Sequence, residues 1–133
     1  MVLKGKLRLI VFLIVDESAV ARKMIKRSLE IVGLQDSDFS EAENSVEALE
    51  ILKDSEFDLV CTDLNMPEMD GTQLLKRIKN SPKLTDTPVI IISSLTNATR
   101  EQQLLADHAL KVFKKPLSLT EFSGFFRDYL NLN

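Results

Sequence analysis

The chain has 133 residues, enough for one hydrophobic core, and its mixture of 44% hydrophobic and 28% charged residues excludes a disordered or fibrous protein. The net charge is −3 with Lys and Arg scattered among acids, so no basic stripe marks a nucleic-acid surface and direct nucleic-acid binding is not expected. Cysteine occurs once, at Cys61 inside an apolar run, which excludes an internal disulfide, points to a reducing, cytoplasmic setting, and reads as small core filling.

Residues 1–8 are basic and 9–15 wholly apolar, the outline of a secretory signal, but the run passes straight into Asp16 and Glu17 with no small-residue cleavage site. It is also far short of the ~20 residues that span a bilayer. No membrane insertion is expected, and residues 7–15 read as a buried first strand. A helix over 19–32 follows, with Ser18 as N-cap, Gly33 as stop, and Val20, Met24, Ile25, Leu29 and Val32 on its inward face. The second strand is expected over 39–42. The second helix, over 46–53, begins after Ser45 and turns Val46, Leu49 and Leu52 inward.

The third strand is Leu59–Thr62, and the third helix runs over 72–79, with Asp70 and Gln73 spaced for a reciprocal cap. A fourth strand over 89–92 leads to a fourth helix within 98–107, where Thr96, Asn97 and Thr99 are all suitable caps. The fifth strand covers 112–114. The last helix, Leu119–Leu130, opens with Ser118 and Glu121 at capping-box spacing and a Leu117–Phe122 staple. It buries Leu119, Phe122, Phe126, Tyr129 and Leu130, while Phe125 lies off that stripe as edge packing or part of a target surface. Short apolar runs alternating with amphipathic stretches imply a parallel sheet with crossover helices, and the continuous Val/Ile/Leu runs belong at its centre.

Open parallel sheets bind ligands outside the carboxyl ends of their strands. There the first strand ends at Asp16 and Glu17, the third at Asp63, the fourth at Ser93 and the fifth at Lys115. If the first and third strands are neighbours, three carboxylates converge. Two unit charges ~4 Å apart repel by about 4 kcal/mol at an effective dielectric near 20, so the trio requires a cation or a proton. Magnesium suits such a site because it takes carboxylate oxygens, keeps several waters and shares phosphate oxygens. Taken alone, Asp16 and Glu17 also suit the N-terminal end of a helix dipole. Asp63, held between a strand and a loop fixed by Pro67 and Gly71, is placed to act as a nucleophile toward phosphorus, with Lys115 and a metal neutralising charge and Ser93 donating a hydroxyl.

The segments FLIVDES at 12–18, DLNMPEMDG at 63–71, PVIIIS at 88–93 and KP at 115–116 resemble, in order and spacing, the response-regulator receiver family, the CheY-like phosphoacceptors of two-component signalling. The likeness covers nearly the whole chain. It implies a flavodoxin-like, doubly wound α/β fold: a five-stranded parallel sheet in the order 2-1-3-4-5 with five helices, one receiver domain over 1–133 and no output domain. It implies phosphorylation of Asp63 by a histidine kinase or histidine phosphotransfer protein, and a magnesium ion arranged by Asp16, Glu17, Asp63 and the main-chain carbonyl of Asn65. It further implies that Ser93 and Lys115 contact the phosphoryl oxygens, that the Lys115–Pro116 bond is cis, and that the product is a signalling switch rather than an enzyme.

Three positions depart from the family pattern. Glu17 stands where a second Asp is frequent, Val112 where an aromatic rotamer switch is usual, and His108, as a polar residue at a helix end, where Gly is common. A constitutive binding module with the same fold is the first alternative. An aspartate-nucleophile phosphatase would need an acid at Asn65, and a flavin carrier would need a phosphate loop where Asp16 and Glu17 stand.

Overall fold

The structure is a computed structural model that describes residues 9–131. Five strands, β1 (Val11–Val15), β2 (Asp38–Ala42), β3 (Leu59–Thr62), β4 (Val89–Ser93) and β5 (Lys111–Lys114), alternate with five α-helices. These are α1 (Ala19–Leu29), α2 (Ser45–Asp54), α3 (Gly71–Lys79), α4 (Ala98–Ala106) and α5 (Leu119–Leu130). The sheet order is β2-β1-β3-β4-β5, as the family resemblance implied, with every pair parallel, as the apolar pattern implied. Residues 7 and 8 of the expected first strand lie outside the described residues.

Strand periodicity divides the core in two, because successive side chains leave opposite faces of a sheet. Leu13, Val15, Val60, Val89, Ile91 and Val112 face one side, where Ala48 and Leu52 of α2, Leu74, Leu75 and Ile78 of α3 and Leu104 of α4 cover them. Phe12, Ile14, Leu59, Cys61, Ile90, Ile92 and Phe113 face the other, against Ile25 and Leu29 of α1 and Phe122, Phe126 and Leu130 of α5. Phe125 is half-buried, with ring contacts to Phe113, Phe126 and Tyr129, which favours edge packing for it. Burial of both faces explains why β1, β3 and β4 read as continuous apolar runs.

The caps follow the sequence closely. Ser18 accepts from the Ala21 N–H, Asp70 and Gln73 form the reciprocal capping box, Asn97 is the cap of α4, and Ser118 accepts from the Glu121 N–H. For α2 the cap is Asn44 rather than the residue after it; Ser45 lies in the first turn and its hydroxyl donates to the Met69 carbonyl.

Four side chains expected inward are exposed: Val20 at 68%, Met24 at 64%, Val46 at 49% and Leu119 at 44%. At 100° per residue, Met24 is a third of a turn from the Ile25–Leu29 stripe that α1 buries, and Val46 is the same angle from Ser45 on α2. Leu119 sits in the first turn of α5. The helical path continues from α1 into a π-type turn over Glu30–Leu34 and breaks at Gly33, the expected stop, whose φ of 108° is open to glycine.

Candidate functional site

Three backbone hydrogen bonds prolong the sheet past the strand ends and fix the main chain of three polar residues. Asp16 N–H donates to the Ala42 carbonyl at 3.1 Å, Asp63 N–H to the Val15 carbonyl at 3.0 Å, and Lys115 N–H to the Ser93 carbonyl at 3.1 Å. Each residue is therefore tied to the strand beside it, and their side chains meet over the β1–β3 junction.

Lys115 Nζ lies 2.8 Å from Asp16 Oδ2 and 3.8 Å from Asp63 Oδ1. The carboxylates are nearly sequestered, with side-chain exposures of 3% for Asp16 and 11% for Asp63, whereas Lys115 retains 26%. A partly exposed ammonium thus stands between two buried carboxylates. That geometry offsets their mutual repulsion, and the group of the three most open to solvent is the ammonium.

Asp16 uses all of its polar groups. Besides the two bonds already given, its Oδ1 accepts the Ser18 N–H at 3.0 Å and its carbonyl accepts Nη1 of Arg22 at 2.7 Å. Arg22 Nε pairs with Glu41 Oε1 at 2.8 Å. Reading the sequence misses Arg22. The available signal is a cation in the second turn of α1, near the positive end of its dipole, with no acid in the first turn to accompany it.

Ser93 is fully buried at the end of β4, and its hydroxyl oxygen accepts the Leu95 N–H at 3.1 Å, which holds the start of the β4–α4 loop. Ser94 beside it is exposed. Asp63 is followed by a loop in which Asn65 is exposed, Glu68 takes φ 64° and the Met69 N–H donates to the Pro67 carbonyl at 2.7 Å, a γ-type turn. The Lys115–Pro116 peptide bond is cis. Val112 is buried in the core with Leu104 and Ala109, so no aromatic occupies its place.

Glu17 does not join the two aspartates. It is exposed, and among the described residues no group of three or more acidic, histidine or cysteine side chains gathers to hold a metal. The argument from three converging carboxylates is corrected accordingly: two converge, and the Lys115 ammonium is the cation between them. The oxygen donors of Asp16 and Asp63 are still of the kind a hard divalent ion takes, so magnesium fits their chemistry.

The model of the response regulator receiver domain family matches residues 12–124. The chain belongs to the response-regulator receiver family. Its relatives include the two-component response regulator ARR17 of Arabidopsis thaliana, 36% identical over 90% of this chain and 84% of that protein. The chemotaxis protein CheY-3 of Vibrio cholerae is 39% identical over 73% of this chain and 72% of that one.

Among solved structures, the signal receiver domain of a signal transduction histidine kinase from Syntrophus aciditrophicus superposes with a TM-score of 0.77 at 28% identity, covering 91% of this chain and 89% of that one. The chemotaxis protein CheY4 of Vibrio cholerae, at 24% identity, shares the fold with a TM-score of 0.79 over 92% of this chain and 100% of that one. This receiver domain has the phosphoacceptor signalling role of its family in two-component systems. Among its described residues no helix is long and apolar enough to cross a membrane.

Proposed function

We propose that Asp63 is the phosphoacceptor, modified by a phosphohistidine of a histidine kinase or histidine phosphotransfer protein in the cytoplasm. The observation that carries this reading is the Lys115 ammonium, 3.8 Å from Asp63 Oδ1 and paired at 2.8 Å with Asp16. In the transfer, a carboxylate oxygen of Asp63 forms a bond to phosphorus as the phosphorus–nitrogen bond to the donor imidazole breaks. The electron pair leaves with the imidazole, and the domain becomes an acyl phosphate.

Asp16, Asp63 and the main-chain carbonyl of Asn65 would hold magnesium, with Glu17 reaching its waters; when bound, the ion neutralises charge on the phosphoryl oxygens. Lys115 exchanges its bond to Asp16 for one to a phosphoryl oxygen. The Ser93 hydroxyl, whose oxygen accepts the Leu95 N–H, donates its own proton to another. Through that shared hydroxyl, phosphorylation is linked to the β4–α4 loop and biases α4 and β5 between two arrangements that a downstream partner distinguishes. With Val112 in the core, the bias acts through the loop and helix rather than an aromatic rotamer. Exposed Ser94 leaves water access, so hydrolysis returns inorganic phosphate and the free carboxylate.

Intact mass after incubation with acetyl phosphate and magnesium tests the reading. A transient gain of one phosphoryl group in the wild type, absent without magnesium and absent in Asp63→Asn, supports it. No gain in folded wild-type protein rejects it in favour of a constitutive binding module.

A further inference from the structure

We infer that Arg22 is a positioning residue for the phosphoryl pocket, holding the main chain of Asp16 so that its carboxylate faces Lys115 and Asp63; the inference rests on the role proposed for that pocket. Asp16 stands where β1 turns into α1, and its N–H is already tied to β2 through the Ala42 carbonyl at 3.1 Å. Arg22 supplies the second tie. Its Nη1 donates to the Asp16 carbonyl at 2.7 Å while its Nε engages Glu41, the residue before Ala42 on β2, at 2.8 Å. The peptide groups on the two sides of Asp16 are therefore anchored to adjacent residues of one strand, Ala42 directly and Glu41 through Arg22.

The two ends of this bridge are unequal. Glu41 is 47% exposed, so its ion pair is screened, whereas the Arg22 side chain is 15% exposed and its bond to the Asp16 carbonyl is partly buried. A planar guanidinium makes both contacts at once from a fixed fork; a lysine ammonium makes one at a time. The Asp16 carboxylate is 3% exposed and is set by the Ser18 N–H at 3.0 Å and Lys115 Nζ at 2.8 Å. When Lys115 leaves for a phosphoryl oxygen, the carboxylate loses one of those two constraints. Its direction then depends on the backbone that Arg22 holds. Partners that orient a ligand group from behind change metal affinity by about 10- to 100-fold when removed.

Calorimetric titration of magnesium into the unphosphorylated chain, beside the rate of phosphoryl uptake from phosphoramidate, tests the inference on Arg22→Ala, Arg22→Lys and Glu41→Gln. Amide NMR spectra check folding. Expected are about tenfold weaker magnesium binding and slower uptake in Arg22→Ala, an intermediate loss in Arg22→Lys, and values within about twofold of wild type in Glu41→Gln, which keeps the bond to Asp16. A purely structural brace lowers the melting temperature and leaves the magnesium affinity of the folded chain unchanged, and that result overturns the inference. If Arg22→Ala does not fold, Arg22→Met keeps the buried stem and is read in the same way; its failure to fold also overturns the positioning role. A wild type that binds magnesium and takes up the phosphoryl group while folded Arg22→Ala matches it sinks this inference alone. A wild type that does neither sinks the proposed function with it.

Discussion

The main-chain carbonyl oxygen of Asp63 lies 2.1 Å from the point where a β-carbon on Gly71 would stand. The loop after β3 closes on itself there, with the Gly71 N–H donating to the Leu64 carbonyl at 2.9 Å, and the obstructing atoms are all backbone. Gly71→Ala therefore displaces the Asp63 peptide itself. The expected cost is about 3 kcal/mol, the upper end for overpacking a filled site. Urea denaturation measures it, and phosphoryl uptake should fall by more than the loss of folded protein accounts for.

Lys115→Met should show the electrostatic role of the ammonium directly. Removing it leaves Asp16 and Asp63 facing each other without a counter-charge, and folding stability in metal-free buffer drops by about 3 kcal/mol, the lower end for breaking a buried pair. Magnesium then binds a more negative pocket. The rise in melting temperature on adding magnesium is expected to be larger in the variant than in the wild type, and an equal rise would contradict this account.

At the end of α4, the His108 N–H donates to the Leu105 carbonyl and the Ala109 N–H to the Leu104 carbonyl, both at 3.0 Å, with His108 at φ 74°. These bonds define a Schellman cap whose left-handed residue is a histidine. Glycine holds that conformation without crowding a β-carbon, so His108→Gly is expected to stabilise the domain by about 1 kcal/mol despite the greater freedom of the unfolded chain. Thermal unfolding of the pair decides the sign.

Burial pushes the Cys61 thiol up to about 12 from its ordinary 9.0. The folded chain keeps the proton that the unfolded chain gives up, so the contribution is fully present below pH 9.0 and is lost as pH rises toward about 12. Over that window the stability of the wild type should fall relative to Cys61→Ala by about 1.4 kcal/mol per pH unit. Urea midpoints at pH 8 and at about pH 10.5 measure the difference. Thiol-specific reagents should label Cys61 only on unfolding.

Most of the fold was legible in the sequence because two signals reinforce each other. The runs around Leu13, Val60 and Ile91 are apolar on both faces, as central strands must be, and the caps at Ser18, Asp70 and Ser118 mark where helices begin. Helix faces were less secure. Val20 and Met24 form an apolar pair one turn apart, which periodicity cannot distinguish from the parallel pair Ile25 and Leu29; only the neighbouring sheet selects between them.

The pocket was legible to the extent that strand ends predict it. Asp16, Asp63 and Lys115, which the structure brings together, each follow a strand, so each could be picked out one by one. The exposure of Glu17 and the engagement of Arg22 depend on the path of the chain from β1 into α1, a three-dimensional matter that spacing along the sequence does not contain.

Lys115 and Asp16 are joined across 99 positions of sequence. No fragment lacking the fifth strand contains the pocket, however much of the sheet it has formed. On the role proposed for Asp63, phosphoryl uptake waits until the fifth strand has docked and brought Lys115 to the two aspartates.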